Sequence, residues 1–431
     1  MEFINYYRLF EEKPRKLCDP QNNPEDAVYA QKDEALLPAT FDMHPDPKKY
    51  DRDREQQWTV CCSAVTKKGR IFFNYFSSCE HASEDAGIYN MVMCSDDHGQ
   101  SFRNLFVLES PVPERVRIFD MRLWTDEQGR LWMFWNQCFG IYDGRFGVWA
   151  SRCDDPDGEA LVFSAPKRIC DGVLCRYPIV TKDGSWLIPT SIWDPRSLQG
   201  IGSELGERVT IANWQPEDLG VSVYRSVDQG ESYEKIASGI RFPYSVFDEP
   251  GMVEKNDGSL WMWIRGMNCI AEVFSYDGGY TWTEPRMSSK YFVPNSRFEL
   301  GRLKSGNLLL LQNYKPRFPS LWWGRNNLTA LLSRDDGETW EGVLMLDERE
   351  GTEQPGYTQA DDGTIYISYG RAPGIAGEGL MAIITEEDIL AGKLVNPNSR
   401  LRVLAGKARG MRLRPDYAEL CEFARKAGVE M

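Results

Sequence analysis

The 431-residue chain has no uninterrupted apolar run of 18 residues, so no segment is expected to cross a bilayer as a helix. It has only three histidines, His44, His81 and His98. That speaks against a His-rich zinc centre, and neither a metal nor a cofactor is expected. The 11 cysteines are an odd number without regular spacing, Cys61 and Cys62 are adjacent, and no CxxC pair occurs. This reads as buried, reduced thiols rather than a disulfide framework. Basic residues are outnumbered, with 50 Lys and Arg against 64 Asp and Glu and a net charge of −14. Nucleic acid and anionic membrane surfaces are poor partners for such a chain, and an anionic ligand would need a local cluster of Arg. The opening residues Met1-Glu2-Phe3-Ile4-Asn5 show no basic stretch followed by an apolar one, so a cytoplasmic location is the expectation.

What the chain does have is aromatics, 12% with 14 Trp, and a repeat. The form Ser-x-Asp-x-Gly-x-Thr-Trp stands at Ser275 to Trp282 and again at Ser333 to Trp340. Weaker copies run from Ser95 to Phe102 and from Ser226 to Tyr233, and a worn one from Ser151 to Gly158 keeps its acids but not the aromatic. Each copy reads as a hairpin turn. The Asp accepts from backbone N–H groups ahead of it, the Gly takes positive φ, and the aromatic packs beneath. Intervals of about 50–75 residues suit a four-stranded propeller blade and are too long for a helical solenoid unit.

A second count is independent of the first. Short apolar runs led by a Gly turn begin at Gly69, Gly129, Gly184, Gly258, Gly306 and Gly363, as expected of strands buried on both faces. Six runs predict six blades. The expected fold is all-β, a six-bladed β-propeller with short C-terminal helices. Residues 1–55 are read as an N-terminal arm, 56–384 as the propeller and 385–431 as a helical segment packing on it. Asp194 to Leu219 is read as a long inter-strand loop. Helices are expected after Thr385 and from Pro415 through Ala427.

The octamers resemble the Asp-box of the sialidase (neuraminidase) superfamily, whose members are six-bladed β-propellers. Three local patterns are similar to that family's active-site motifs. Glu249 precedes Asp257-Gly258 and Arg265 at the family's sixteen-residue separation, which implies that Glu249 polarises the nucleophile and Arg265 clamps a substrate carboxylate. Arg325 stands eight residues before the Ser of an Asp-box, at the family's second clamp position. In the loop of the family's acid/base Asp stand Glu84 and Asp85, and Asp85 is the expected acid, with Glu84 behind it.

Two departures accompany these matches. Thr59 stands where the resemblance asks for a third clamp Arg. Gln354 stands at the position of the nucleophilic Tyr, with Tyr357 three residues further on. Gln354 and Asp120 are expected to line the site, and Tyr357 to serve as nucleophile or proton donor. Arg117, Arg297 and Arg371 flank strands and are read as blade-to-blade ion pairs. The resemblance implies a glycoside hydrolase of the exo-sialidase type acting on a terminal acidic mono- or oligosaccharide. A lyase of uronate sugars and a propeller that only binds glycans are the alternatives.

Overall fold

The computed structural model describes residues 33–409, apart from 57, 81–83, 85, 140–145, 195–215, 246, 292, 316–324 and 372–376. Most of the long loop predicted after Asp194, and the helix expected from Pro415, lie outside the described residues.

Six antiparallel sheets follow one another along the chain. The first holds β1 (Thr40–Asp42), β2 (Thr59–Val65), β3 (Ile71–Ser77), β4 (Tyr89–Ser95) and β5 (Arg103–Glu109); the second holds β6 (Val116–Thr125), β7 (Leu131–Phe139), β8 (Gly147–Cys153) and β9 (Lys167–Asp171). The third contains β10 (Val173–Leu174) and β11 (Ile179–Val180), both paired with β12 (Trp186–Ile192), then β13 (Gly220–Ser226) and β14 (Glu234–Ile240). The fourth is β15 (Pro250–Glu254), β16 (Leu260–Arg265), β17 (Ile270–Ser275) and β18 (Arg286–Met287). The fifth is β19 (Glu299–Arg302), β20 (Leu308–Asn313), β21 (Leu328–Ser333) and β22 (Glu341–Asp347). The sixth is β23 (Thr352–Gln359), β24 (Ile365–Arg371), β25 (Glu378–Ile384) and β26 (Arg400–Lys407). This is the predicted six-bladed propeller. The Gly-led runs are the second strands, β3, β7, β12, β16, β20 and β24, buried along nearly their whole length because blades stack on both of their faces.

The division at residue 384 needs correction. The sixth sheet is completed by β26, so the propeller runs to Lys407. Between β25 and β26 lies α1 (Glu386–Ala391), capped by Thr385 and stopped at Gly392 in the left-handed region as predicted. Asp388 anchors this excursion by accepting from the backbone N–H groups of Thr385, Val395 and Asn396. At the other end of the chain, β1 adds to the outer edge of the first blade through β5.

The four clear octamers close the turn between the third and fourth strands of blades one, three, four and five. In each, the Asp accepts from the first Ser and from the backbone N–H and hydroxyl of the later Ser or Thr, as at Asp335 with Ser333 and Thr339. The Gly N–H donates to the first Ser, at 2.8 Å for Gly337. Each octamer Gly also sits against the preceding blade. Gly337 faces Trp261, Gly279 faces Leu187, Gly230 faces Trp132 and Gly99 faces Ile383. The repeat is therefore a spacer between blades as well as a turn. The ring closes by packing: Trp58 stacks on Tyr75 at 3.5 Å and fills the space above Gly379 and Gly406 of the last blade. Its indole N–H donates to the buried Glu55.

Candidate active site

In an antiparallel meander all first strands run the same way, so their N-terminal ends share one face of the ring. The ends of the second strands and the starts of the third lie on that face too. Arg265 ends β16, Arg325 precedes β21, and Arg297 precedes β19, so topology alone delivers three guanidiniums to one end of the channel. The octamers close third strands and fall on the opposite face.

Three first strands carry the same irregularity near this end. The ladders of β2, β6 and β23 shift register between Thr59 and Cys62, Phe119 and Arg122, and Glu353 and Gly356. In each bulge the first extra residue has positive φ: 50° at Val60, 51° at Asp120 and 54° at Gln354. Such a conformation is costly for residues other than Gly, most of all for a β-branched Val. Bulges re-aim side chains, and here two of the three equivalent positions carry polar groups that meet the same partner. The Arg297 guanidinium donates to Gln354 at 3.0 Å, pairs with Asp120, and donates through Nε to Glu249 at 2.9 Å.

Around Arg297 the predicted residues assemble. Glu249 precedes β15 and pairs through its second oxygen with Arg265, which the hairpin register places opposite. The separation read from the sequence is thus that of two residues facing each other across one hairpin. Arg265 also donates to the Asn295 side chain at 2.7 Å and to its carbonyl at 3.1 Å. Arg325 reaches the same carbonyl at 2.9 Å and pairs with Glu353. Its own backbone is fixed by Glu350, which accepts its N–H at 3.1 Å, and by the Thr352 N–H at 2.8 Å. Glu249, Arg265, Arg325, Asp120 and Gln354 therefore share one site. Asn295 and Glu353 complete it without having been anticipated. Glu353 had a usable signal, being adjacent to Gln354, whereas Asn295 lies in an irregular segment with none. Arg297, expected only as an ion pair, is the hub.

The electrostatics separate the carboxyls by role. Burial works against ionising Glu249, but Arg265 and Arg297 outweigh it and hold the carboxyl down at about 2. Glu84 behaves in the opposite way. Burial raises its carboxyl, Arg117 opposes at 3.4 Å, and Asp120 and Glu353 add to the rise. Its side chain is 43% exposed, so it stands at the mouth. Arg117 lies over the Phe119 ring at 3.6 Å. Asp85, the expected acid, lies outside the described residues. Among the described residues no group of three or more His, Cys, Asp or Glu side chains is arranged to hold a metal ion.

Tyr357 does not join this site, and the expectation that it replaces the nucleophile is corrected. Its hydroxyl donates to the Arg302 carbonyl at 3.0 Å, and its ring lies in the apolar core between the last two blades. Three residues along an extended strand is about 10 Å, enough to drop it to a lower layer of the channel. There Arg176, between β10 and β11, pairs with Glu299 at 2.6 Å and contacts the carbonyls of Met252 and Leu300 and the Tyr357 hydroxyl. This layer floors the site, and Gly301 leaves room for it. Arg371 pairs with Glu378 on the adjacent strand of its own blade, so the expected blade-to-blade ion pair is corrected to one within the sixth blade.

Residues 69–367 match the BNR repeat-like domain family, and no curated protein matches the sequence. Among solved structures, the Hadza microbial sialidase Hz136 superposes with a TM-score of 0.55 at 18% identity, over 74% of this chain and 64% of that protein. A Dyadobacter fermentans protein of unknown function gives 0.54 at 13% identity over 78% of this chain and 94% of that one. Trypanosoma rangeli sialidase, solved in complex with sialic acid, gives 0.51 at 14% identity over 73% of this chain and 52% of that one. The chain thus spans less than two thirds of these two sialidases, and at such identities the likeness is one of fold. With the family match over most of the propeller, the octamers in register and the six blades, the chain belongs to the BNR repeat-like domain family.

Proposed function

We propose that this protein is a sialidase-related, carbohydrate-active enzyme that cleaves a terminal glycosidic bond at the channel mouth, with Glu84 as proton donor. The observation that carries the reading is the convergence of Arg265, Arg325 and Glu249 with a half-exposed carboxyl, Glu84, raised above the ordinary range. Glycoside cleavage needs a protonated acid on the leaving oxygen and a carboxylate facing the developing positive charge. Glu84, raised by burial and by Asp120 and Glu353, is assigned the first role. Glu353, paired with Arg325, is assigned the second. Glu249 is a fixed anion that orients Arg265 and Arg297, because a carboxyl held near 2 is a weak base at neutral pH. That counts against the lyase alternative, which requires a base to remove a proton beside a carboxylate.

The exo-sialidase form of the reaction is weakened by Glu249 itself, whose oxygens are engaged by guanidiniums rather than by a tyrosine hydroxyl. The same observation favours a second reading, a propeller that binds glycans without chemistry. Glu84→Gln decides between the two. On an enzyme that uses Glu84 it lowers turnover by about 10²–10⁴-fold while sugar binding persists. Turnover unchanged in the variant removes Glu84 from the mechanism, and the absence of any turnover in the wild type across sialosides, uronides and neutral glycosides leaves the binding module.

A further inference from the structure

We infer that the sugar unit seated over Arg265, Arg297 and Arg325 is uncharged, a neutral polyhydroxylated ring rather than a carboxylated one. The inference rests on the carbohydrate reading above and concerns only what the guanidiniums have left to offer. Each is already matched. Arg265 pairs with Glu249, Arg297 with Asp120 and Glu249, and Arg325 with Glu353. Arg117 at the rim pairs with Glu84. Among the described residues of the mouth, four guanidiniums (Arg117, Arg265, Arg297 and Arg325) meet four carboxyl groups (Glu84, Asp120, Glu249 and Glu353), while a further buried guanidinium, Arg122, lies by Cys62 and Glu299. Among these described residues of the mouth no local excess of positive charge stands ready for an anion, in a chain of net charge −14.

A carboxylate arriving at Arg325 would have to displace Glu353, leaving one of the two anions unpaired in a water-poor cup. It would also lie close to Asp120 and Glu249, and like charges at short range oppose each other. Alternating carboxylates and guanidiniums suit hydroxyl groups well, since each hydroxyl donates to one and accepts from the other. Phe247 adds an apolar face. Its ring is partly exposed, lies 5.0 Å from the Arg265 guanidinium and 5.2 Å from the Trp193 ring, and offers a platform for the C–H face of a ring.

The test is equilibrium titration of the purified full-length protein with matched sugars that differ only at C6. Methyl glucoside is set against methyl glucuronide, and methyl galactoside against methyl galacturonide, with N-acetylneuraminic acid as a further anion. The expected result is binding of a neutral member at least about tenfold tighter than its carboxylated partner, a gap of about 1.4 kcal/mol. Glu353→Gln, which removes the negative charge facing Arg325, should shift that ratio toward the carboxylated sugar by a similar factor. Equal or tighter binding of a carboxylated member by the wild type overturns the inference and leaves the carbohydrate reading standing. A neutral preference unmoved in a folded Glu353→Gln also overturns it, since the pairing would not be its cause. Binding of none of these sugars overturns the carbohydrate reading and the inference with it. Should the variant fail to fold, the wild-type comparison decides alone.

Discussion

Arg297 holds the site together, and its planar fork is the reason. One guanidinium meets Glu249, Asp120 and Gln354, which come from three different blades. A lysine would keep the charge but present a single point to partners lying in three directions. Arg297→Lys is therefore expected to fold and to lose about tenfold or more in kcat/KM. Arg297→Ala leaves Asp120 and Glu249 buried without this partner and should cost about 3–5 kcal/mol of stability, read by urea denaturation. Retention of full activity by both would remove Arg297 from its central place. Glu84 makes a separate prediction. Its raised carboxyl stays protonated to higher pH than an ordinary Glu, so activity should fall as pH climbs through that raised value, and Glu84→Gln should abolish this limb of the profile. At this scale the sequence was informative where spacing is set by a hairpin. Glu249 and Arg265 were legible because Asp257-Gly258 fixes their register. Asn295 was not, and Arg297 was legible only as a blade-to-blade ion pair, because the segment before β19 repeats no pattern.

The octamer turns show why the fold was legible before any site was. Asp and Gly in that pattern satisfy a local turn, and the same Gly meets the neighbouring blade, so one short motif specifies both the hairpin and the stacking. Gly337 has φ 91° and a Cβ there would strike Trp261. Gly337→Ala combines left-handed strain with overpacking and should destabilise by about 2–4 kcal/mol while leaving the activity of the folded fraction unchanged. A neutral effect on the urea midpoint would contradict the spacer role. The outer strand β26 was missed for the opposite reason. It follows α1 and Asn396 to Ser399, and the helix signals there hide the strand that completes the sixth blade. The drop of Tyr357 to a lower layer was missed because a bulge at Gln354 changes which residues of β23 face the mouth.

On the scale of the whole ring, acid should loosen turns and site together. Asp228, Asp277 and Asp335 are held down at about 2 chiefly by their turn hydroxyls and backbone N–H groups, and Glu249 at about 2 by its two guanidiniums. A carboxyl lowered in the folded state stabilises above its unfolded value near 4 and loses that contribution as pH falls toward 2. Stability to urea should thus decline between about pH 4 and pH 2, more steeply in wild type than in Asp277→Asn. Every role proposed above requires a sugar bound at the channel mouth. The most direct test is a crystal structure of Glu84→Gln soaked with the tightest-binding sugar of the panel. It should show a ring hydrogen-bonded to Glu353 and Arg325 with its glycosidic oxygen beside residue 84. A sugar found only on the octamer face or the outer rim, with the mouth empty, would contradict it.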